Sequence, residues 1–289
     1  MRNWIAFSVL FAAGFILTQS SRAETMVYPN VPAGETFTNA GGSNQGQAIG
    51  ATGWYYNNVR GSGAVGINSQ YPNGSTGSAS FSSPSGSGKA DIEYLANGTN
   101  VFGNYYASGS LGLLSDLSSM SYSWYRDGSS TTTAHLHPVL RVIVDADGNL
   151  ATTGDRGGLV FEGAYNGNPT ATTDTWVSNT IGANAFLWNF GLGIGFGANI
   201  NSSSYAYDAS LGEWQAYFPN AVILGFSSGV GSGWGGTFAG AVDKISWTIG
   251  DTTTASNFEV QAVPEPSSVL LTLAGAALLF LRRRLKAQS

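Results

Sequence analysis

One segment near the middle of the chain constrains the fold more than any other. Its large apolar residues are two positions apart and are separated by serines: Met120, Tyr122 and Trp124 alternate with Ser119, Ser121 and Ser123. A period of two is that of a β-strand with one buried face and one solvated face. The segment therefore predicts a strand of an antiparallel sheet that packs one face on a core.

The same reasoning predicts about ten strands along the chain. Residues 139–144 are apolar except for Arg141, which is typical of an inner strand. Asp147-Gly148 then indicates a tight turn. Helical signals are nearly absent, and no segment repeats at a constant period, which argues against propellers and solenoids. The other predicted strands cover residues 54–60, 78–82, 90–94, 159–162, 186–190, 213–217, 221–226 and 238–249.

The chain contains 40 glycines and no cysteine. The glycines suit short strands joined by turns, and without disulfides or thiol chemistry the fold must rest on its own core. Residues 233–245 resemble the closing strand of jelly-roll modules in carbohydrate-binding and concanavalin-like domains. We therefore predict an all-β fold, a single antiparallel β-sandwich over residues 24–262 that is jelly-roll-like, of concanavalin or galactose-binding type.

Residues 1–23 have the three parts of a secretory signal peptide. Arg2 supplies a positive start, residues 4–17 are mostly apolar, and Ser21-Arg22-Ala23 places small residues where a signal peptidase reads them. We expect export through the inner membrane and cleavage by signal peptidase before Glu24.

Residues 263–289 carry a second membrane signal. An apolar run of 13 residues, 269–281, precedes Arg282, Arg283 and Arg284. As a helix it is about 20 Å long against a hydrocarbon core of about 30 Å, so a transmembrane helix here must tilt or thin the bilayer. The arginines act as a membrane stop on the cytoplasmic side. A buried core helix is the alternative, but the run has almost no polar face.

Pro264, Glu265 and Pro266 precede this apolar run and its arginine cluster. The three parts, in this order, resemble the PEP-CTERM sorting signal of Gram-negative bacteria that make exopolysaccharide. The resemblance implies recognition by an exosortase, a membrane protease-transpeptidase that removes the anchor near the tripeptide. The protein would then be released or attached at the cell surface after transient anchoring in the membrane.

Without its two ends the chain is strongly acidic. Residues 24–263 retain six of the 12 Lys and Arg residues and 16 of the 17 Asp and Glu residues, a net charge near −10. This charge argues against a nucleic-acid partner, which needs basic groups to neutralise phosphates. It favours solubility outside the cell and binding of cations.

Two segments contain possible metal ligands. Residues 145–149, Asp-Ala-Asp-Gly-Asn, have the oxygens of a calcium loop, but the glycine falls two places too early for an EF-hand, and a tight Asp-Gly hairpin explains the same residues more simply. A strand through His135 and His137 would place both imidazoles on one face, but a third zinc ligand is missing, and we expect the two histidines to lie at a strand entrance just before Pro138. Asp243 heads the apolar face of the last strand, so we expect it to cap a loop at the strand end or to hold a structural cation. We predict no cofactor or metal, with structural calcium left open.

Three patterns associated with catalysis each lack a necessary part. Residues 225–229 fit G-x-S-x-G, but glycine-rich sequence follows where a hydrolase needs a helix. Residues 86–89 match only a fragment of a phosphate-binding loop. Glycosidases need two carboxylates at a fixed separation, and nothing in the sequence pairs Glu93, Glu162 or Glu213. We therefore predict a protein without enzymatic activity.

Exposed aromatic side chains are the remaining binding signal, because sugar-binding modules stack sugar rings on Trp or Tyr. Neighbouring aromatics such as Trp54 and Tyr55 must point to opposite faces of a strand. We select Trp54, Trp176 and Trp234 as candidate ligand-binding residues. The sequence thus predicts a secreted or cell-surface protein that is a structural or adhesive component of the exopolysaccharide matrix. A lectin-like module that binds polysaccharide and a polysaccharide-acting enzyme are the alternatives.

Overall fold

The computed structural model describes residues 24–261. The predicted signal peptide, the tripeptide Pro264, Glu265 and Pro266, and the stop Arg282, Arg283 and Arg284 lie outside these residues. No helix within the described range is long and apolar enough to cross a membrane. The strands are β1 Glu24–Val27, β2 Phe37–Thr38, β3 Gln47–Ala48, β4 Trp54–Arg60, β5 Ala64–Asn68, β6 Ser78–Ser83, β7 Lys89–Leu95, β8 Gly98–Val101, β9 Asn104–Ala107, β10 Leu117–Arg126, β11 Val139–Asp145, β12 Arg156–Phe161, β13 Val177–Ile181, β14 Leu187–Gly191, β15 Val222–Val230, β16 Phe238–Ile249 and β17 Thr252–Phe258; the α-helix, α1, is Leu211–Tyr217.

Two sheets pack together as a β-sandwich, which confirms the predicted class. In the eight-stranded sheet, β10 pairs with one side of the long strand β16, while β6 and β17 share its other side. The sheet continues through β5 and β2 beyond β6, through β1 beyond β17, and through β13 beyond β10. The seven-stranded sheet has the order β14-β12-β11-β15-β7-β4-β3. Its pairs are all antiparallel, whereas β1 runs parallel to β17.

Aromatic side chains join the two sheets. Trp54 of β4 lies 6.2 Å from Trp247 and 5.0 Å from Phe258 between ring centroids, and Phe226 stacks on Trp247 at 4.3 Å. Each such ring buries about 150–250 Å² of surface, so this layer dominates the apolar stabilisation of a chain that has no disulfide.

Two strand predictions are confirmed in detail. The alternating segment is β10, and Met120, Tyr122 and Trp124 are each 1% exposed. The apolar segment is β11, which lies between β12 and β15 inside its sheet. Period-two alternation therefore located the half-buried strand, and a nearly continuous apolar run located the inner strand.

The prediction of a strand over residues 213–217 is wrong, because this segment lies in α1. Ser210 caps the helix: its Oγ accepts a hydrogen bond from the Glu213 N–H, and the Glu213 carboxylate accepts one from the Ser210 N–H at 2.7 Å. This reciprocal capping box is a known start signal for helices. The helix then buries Leu211 and Trp214 against the core.

Asp243 lies inside β16 rather than at a strand end, so that part of its prediction is wrong. A bulge follows it, and Lys244 there has the left-handed φ of 52°. The bulge changes the register with β10. Residues five apart face opposite sides of a regular strand, but here Val242 and Trp247 are both buried. Asp243 is 0% exposed, and its Oδ1 accepts a hydrogen bond from the Phe258 N–H at 2.9 Å.

Burial raises the pKa of Asp243 to about 7, which gives a prediction for Asp243→Asn. The folded protein keeps this proton up to about pH 7, whereas the unfolded chain releases it near its ordinary pKa of 3.8. The free energy of unfolding therefore falls as the pH rises between these values, by up to about 4 kcal/mol. We expect Asp243→Asn to remove this fall in urea unfolding at acidic and at neutral pH, while Asp251→Asn, at an exposed position, preserves it. Equal pH dependence in wild type and Asp243→Asn would contradict the assignment.

Candidate functional site: a groove on the seven-stranded sheet

A groove of about 570 Å³ lies on the outer face of the seven-stranded sheet. Side chains alternate between the two faces of β7, and Ala90 and Ile92 point into the core. The floor of the groove is therefore formed by Lys89, Asp91 and Glu93. The register then places side chains of neighbouring strands beside them. Three adjacent strands contribute side chains that lie opposite one another: Arg141 of β11, Ser227 of β15 and Glu93 of β7.

Three donors hold the carboxyl group of Glu93. Asn57 Nδ2 donates at 2.6 Å, Asn58 Nδ2 at 3.2 Å and Ser227 Oγ at 3.1 Å. Asn58 has a left-handed φ of 53° at an irregularity in the pairing of β4 with β7, where bulges commonly redirect side chains. Burial of the carboxyl, aided by the negative charge of Asp91, raises the pKa of Glu93.

Asp91 is the second buried acid of the floor and is 1% exposed. Lys89 Nζ lies 2.7 Å from one of its oxygens, and Arg141 Nη1 lies 2.9 Å from the other. Burial alone would raise the pKa of Asp91, but the two cations outweigh it and hold the pKa below its ordinary value. Two neighbouring carboxyl groups are therefore shifted in opposite directions, a pattern found at sites of acid and base chemistry.

The β8–β9 hairpin forms one wall of the groove, and Asn57 ties it to the floor. Asn57 Nδ2 donates to the Tyr105 carbonyl at 2.8 Å, and the Tyr105 N–H donates to Asn57 Oδ1 at 2.9 Å. The Tyr105 ring packs on Tyr55 with centroids 4.3 Å apart, and Tyr106 is 52% exposed. The amide that holds Glu93 thus also positions the aromatic wall.

The opposite wall combines β14 with the loop that follows it. Asn189 is fully buried and anchors this loop, because its Nδ2 donates to the Gly195 carbonyl at 2.6 Å and its Oδ1 accepts from the Ala198 N–H at 2.7 Å. Phe196 lies 5.0 Å from Trp188 between centroids and is 67% exposed. Trp188 and Phe196 line the groove and belong to a cluster with Tyr165, Tyr205 and Tyr207.

The structure does not bring the three selected tryptophans together. Trp54 is 1% exposed and donates from its indole to Ser256 Oγ, so it belongs to the core and Tyr55 faces outward instead. Trp176 is half-buried and donates to the Pro72 carbonyl, and Trp234 is half-buried and packs against the core. None of the three lines the groove. The adjacency of Trp54 and Tyr55 indicates that the two rings point to opposite faces of the strand, but it does not indicate which ring is buried.

The two histidines do not form a metal site with each other. His137 stacks on Trp124 at 4.0 Å, and burial lowers its pKa to about 4, which keeps the ring neutral at ordinary pH. Three carboxylates, from Asp145, Asp147 and Asp155, have oxygens within 4.8 Å of one another. They could offer ligands to a cation, with Asp155 rather than Asn149 as the third residue.

The remaining sequence patterns have structural roles in the described residues. Ser227, the central serine of G-x-S-x-G, lies within β15 and donates to Glu93, so no strand-to-helix elbow exists there. Residues 86–88 form a turn, and Lys89 begins β7. Glu213 caps α1, and Glu162 does not line the groove. Glu93 is the only one of the three glutamates in the groove, and its neighbour Asp91 was missed although it lies two residues away on the same strand face.

Comparisons with known proteins give little further constraint. No protein-family model and no curated protein matches the sequence. Among solved structures, the chain is similar to a protein from a study of the promiscuous specificity of carbohydrate-binding modules of the β-sandwich superfamily, with 12% identity and a TM-score of 0.33. This similarity covers 79% of the present chain but only 63% of the other, and at this level it carries no functional argument.

The buried pair at the groove floor gives a prediction for Arg141→Met. Removal of the guanidinium leaves Asp91 with Lys89 alone, and breaking a buried ion pair typically costs about 3–5 kcal/mol. Because Lys89 remains, we expect the free energy of unfolding to fall by about 2–4 kcal/mol in urea titrations. Arg60→Met, at the exposed end of β4, is the matched control and should be nearly neutral. An unchanged free energy of unfolding in Arg141→Met would show that the ion pair with Arg141 is not needed to stabilise buried Asp91.

Proposed function

We propose that this domain binds a polysaccharide in the groove of the seven-stranded sheet, as a non-catalytic module. One observation carries the proposal: a polar floor of carboxyl, amide and guanidinium groups lies between two aromatic walls. Sugar rings present both kinds of surface, because their hydroxyl groups hydrogen-bond to polar side chains and their C–H faces pack on aromatic rings. The groove therefore favours the alternative hypothesis of a lectin-like module.

The groove also has the stiffness that such binding requires. Asn57 joins Glu93 to the backbone of Tyr105, and buried Asn189 fixes the loop that carries Phe196. A volume of about 570 Å³ lies within the usual range of about 300–1,000 Å³ for small-ligand sites. Fixed walls reduce the entropy that is lost on binding.

The test is binding of glycans by variants of the exposed rings. Phe196→Ala and Tyr106→Ala each remove an aromatic ring from one wall. We expect each to weaken binding to a glycan array or to the producer's own polysaccharide about tenfold, which is about 1.4 kcal/mol, because truncation of an aromatic hot-spot residue costs more than about 1 kcal/mol. Phe102→Ala is a control on the same hairpin, since Phe102 is 96% exposed and does not line the groove. Trp176→Ala tests the other face of the sandwich. Loss of binding in Trp176→Ala with retention in the two wall variants would place the site elsewhere.

Export and sorting belong to the same proposal. The N-terminal segment and the ordered tripeptide, apolar run and arginines support delivery of the domain to the cell surface or the exopolysaccharide matrix, with an exosortase and signal peptidase as processing partners. There the groove would make the protein adhesive toward matrix polysaccharide.

Mass spectrometry of the protein purified from its host tests this processing. We expect a mature N-terminus at Glu24 and loss of the residues that follow the tripeptide. A mature pool that retains Ser289 would contradict sorting by anchor removal.

A second candidate function is cleavage of the bound polysaccharide. It rests on Asp91 and Glu93, two acids on one strand face whose pKa values are shifted in opposite directions. Glu93 would donate a proton to the glycosidic oxygen as its bond to the sugar carbon breaks. Asp91, which stays ionised, would accept the proton of the water that attacks that carbon. Glu93→Gln should then abolish release of reducing ends and leave glycan binding within a few-fold. Absence of any such release by the wild-type protein would leave the non-catalytic proposal in place.

A further inference from the structure

The basic residues of this acidic domain are concentrated in the groove. Residues 24–261 contain six Lys and Arg side chains, and four of them line it: Arg60, Lys89, Arg141 and Arg156. The lining includes two acids, Asp91 and Glu93. Since 14 of the 16 acids and only two of the six bases lie outside the groove, the formal charge is +2 for the lining and −12 for the rest of these residues.

The local pairing leaves positive charge in excess on the floor. Asp91 supplies the single carboxylate for both Lys89 and Arg141. Arg60 is exposed, and its guanidinium contacts the Asn58 side chain at 3.4 Å rather than an acid. Arg156, in contrast, pairs with Asp145 at 3.1 Å and donates to two backbone carbonyls, so it contributes less.

Glu93 offsets this excess less than an exposed carboxylate would. The residue is 5% exposed, and burial of its carboxyl, aided by the negative charge of Asp91, raises its pKa. The groove floor therefore combines an exposed guanidinium with two cations that share one carboxylate. These groups match the oxyanions of a charged sugar, to which Arg donates in a bidentate geometry.

We propose that the groove selects anionic polysaccharides, those whose sugar units carry carboxylate or sulfate groups. This inference rests on the proposed glycan-binding function and names its ligand class. The negative charge of the remaining surface repels such a polymer everywhere else, so the field guides it into the groove. A neutral glycan would gain the aromatic and hydroxyl contacts but none of this attraction.

Isothermal titration with the processed protein tests the selection. The probes are polygalacturonate for carboxylate, dextran sulfate for sulfate and unmodified dextran as the neutral polymer. At low ionic strength we expect at least one anionic polymer to bind about tenfold or more tightly than dextran. This difference in affinity should shrink with added salt, because the Debye length falls from about 10 Å at 0.1 M to about 3 Å at 1 M. The two anionic probes decide between carboxylate and sulfate.

Arg60→Gln and Lys244→Gln form a matched pair of charge removals. Arg60 lies in the groove, whereas Lys244 is exposed on the opposite sheet. We expect Arg60→Gln to weaken binding of the anionic polymer about three- to tenfold and to leave dextran binding unchanged, while Lys244→Gln changes neither.

The outcomes separate this inference from the function on which it rests. Equal affinity for dextran and both anionic polymers, or an anionic preference that Arg60→Gln and Lys244→Gln reduce equally, would overturn anion selection and leave glycan binding intact. No binding to any glycan, including the producer's own polysaccharide, would overturn both.

Discussion

Burial of one face of each strand is the constraint on which the rest of this structure depends. The chain has no disulfide, so the two sheets are held by the aromatic layer around Trp54, Trp247 and Phe226. Because side chains alternate along a strand, filling this layer turns every second residue of β7, β11 and β15 outward. The groove floor is the outward set of the same strands. Core and candidate site therefore come from one pattern, and a change of register would destroy both.

The sequence predicts the class of fold well but not its full extent. Alternation of large and small residues located β10 and a nearly continuous apolar run located β11, whereas β17 has the polar sequence Thr-Thr-Thr-Ala-Ser-Asn-Phe and offers little apolar signal. The helix α1 was missed although Ser210 and Glu213 carry its capping signal. The bulge at Lys244 shifts the alternation within β16, so that Val242 and Ile245 are both in the core, and a backbone irregularity of this kind depends on the partner strand rather than on local sequence.

The candidate site was less predictable than the fold. Glu93 was recognised as a possible acid, but its relation to Arg141 and Ser227 depends on the pairing of β7, β15 and β11, which are distant in sequence. Asp91 could have been paired with it from the spacing alone. The rings of Tyr106 and Phe196 lie in a hairpin and a loop whose positions are fixed by Asn57 and Asn189, and no local pattern reveals those anchors. Pairing across the sheet thus creates the site from ordinary polar residues.

The central claim is that polysaccharide binds on the seven-stranded sheet, between the β8–β9 hairpin and the loop after β14. Hydrogen exchange of backbone amides, with and without the producer's polysaccharide, locates the contact without altering any side chain. The account predicts slower exchange in the hairpin around Tyr105 and in residues 192–198, with little change near Trp176. Protection confined to the outer face of the eight-stranded sheet around Trp176 would contradict it.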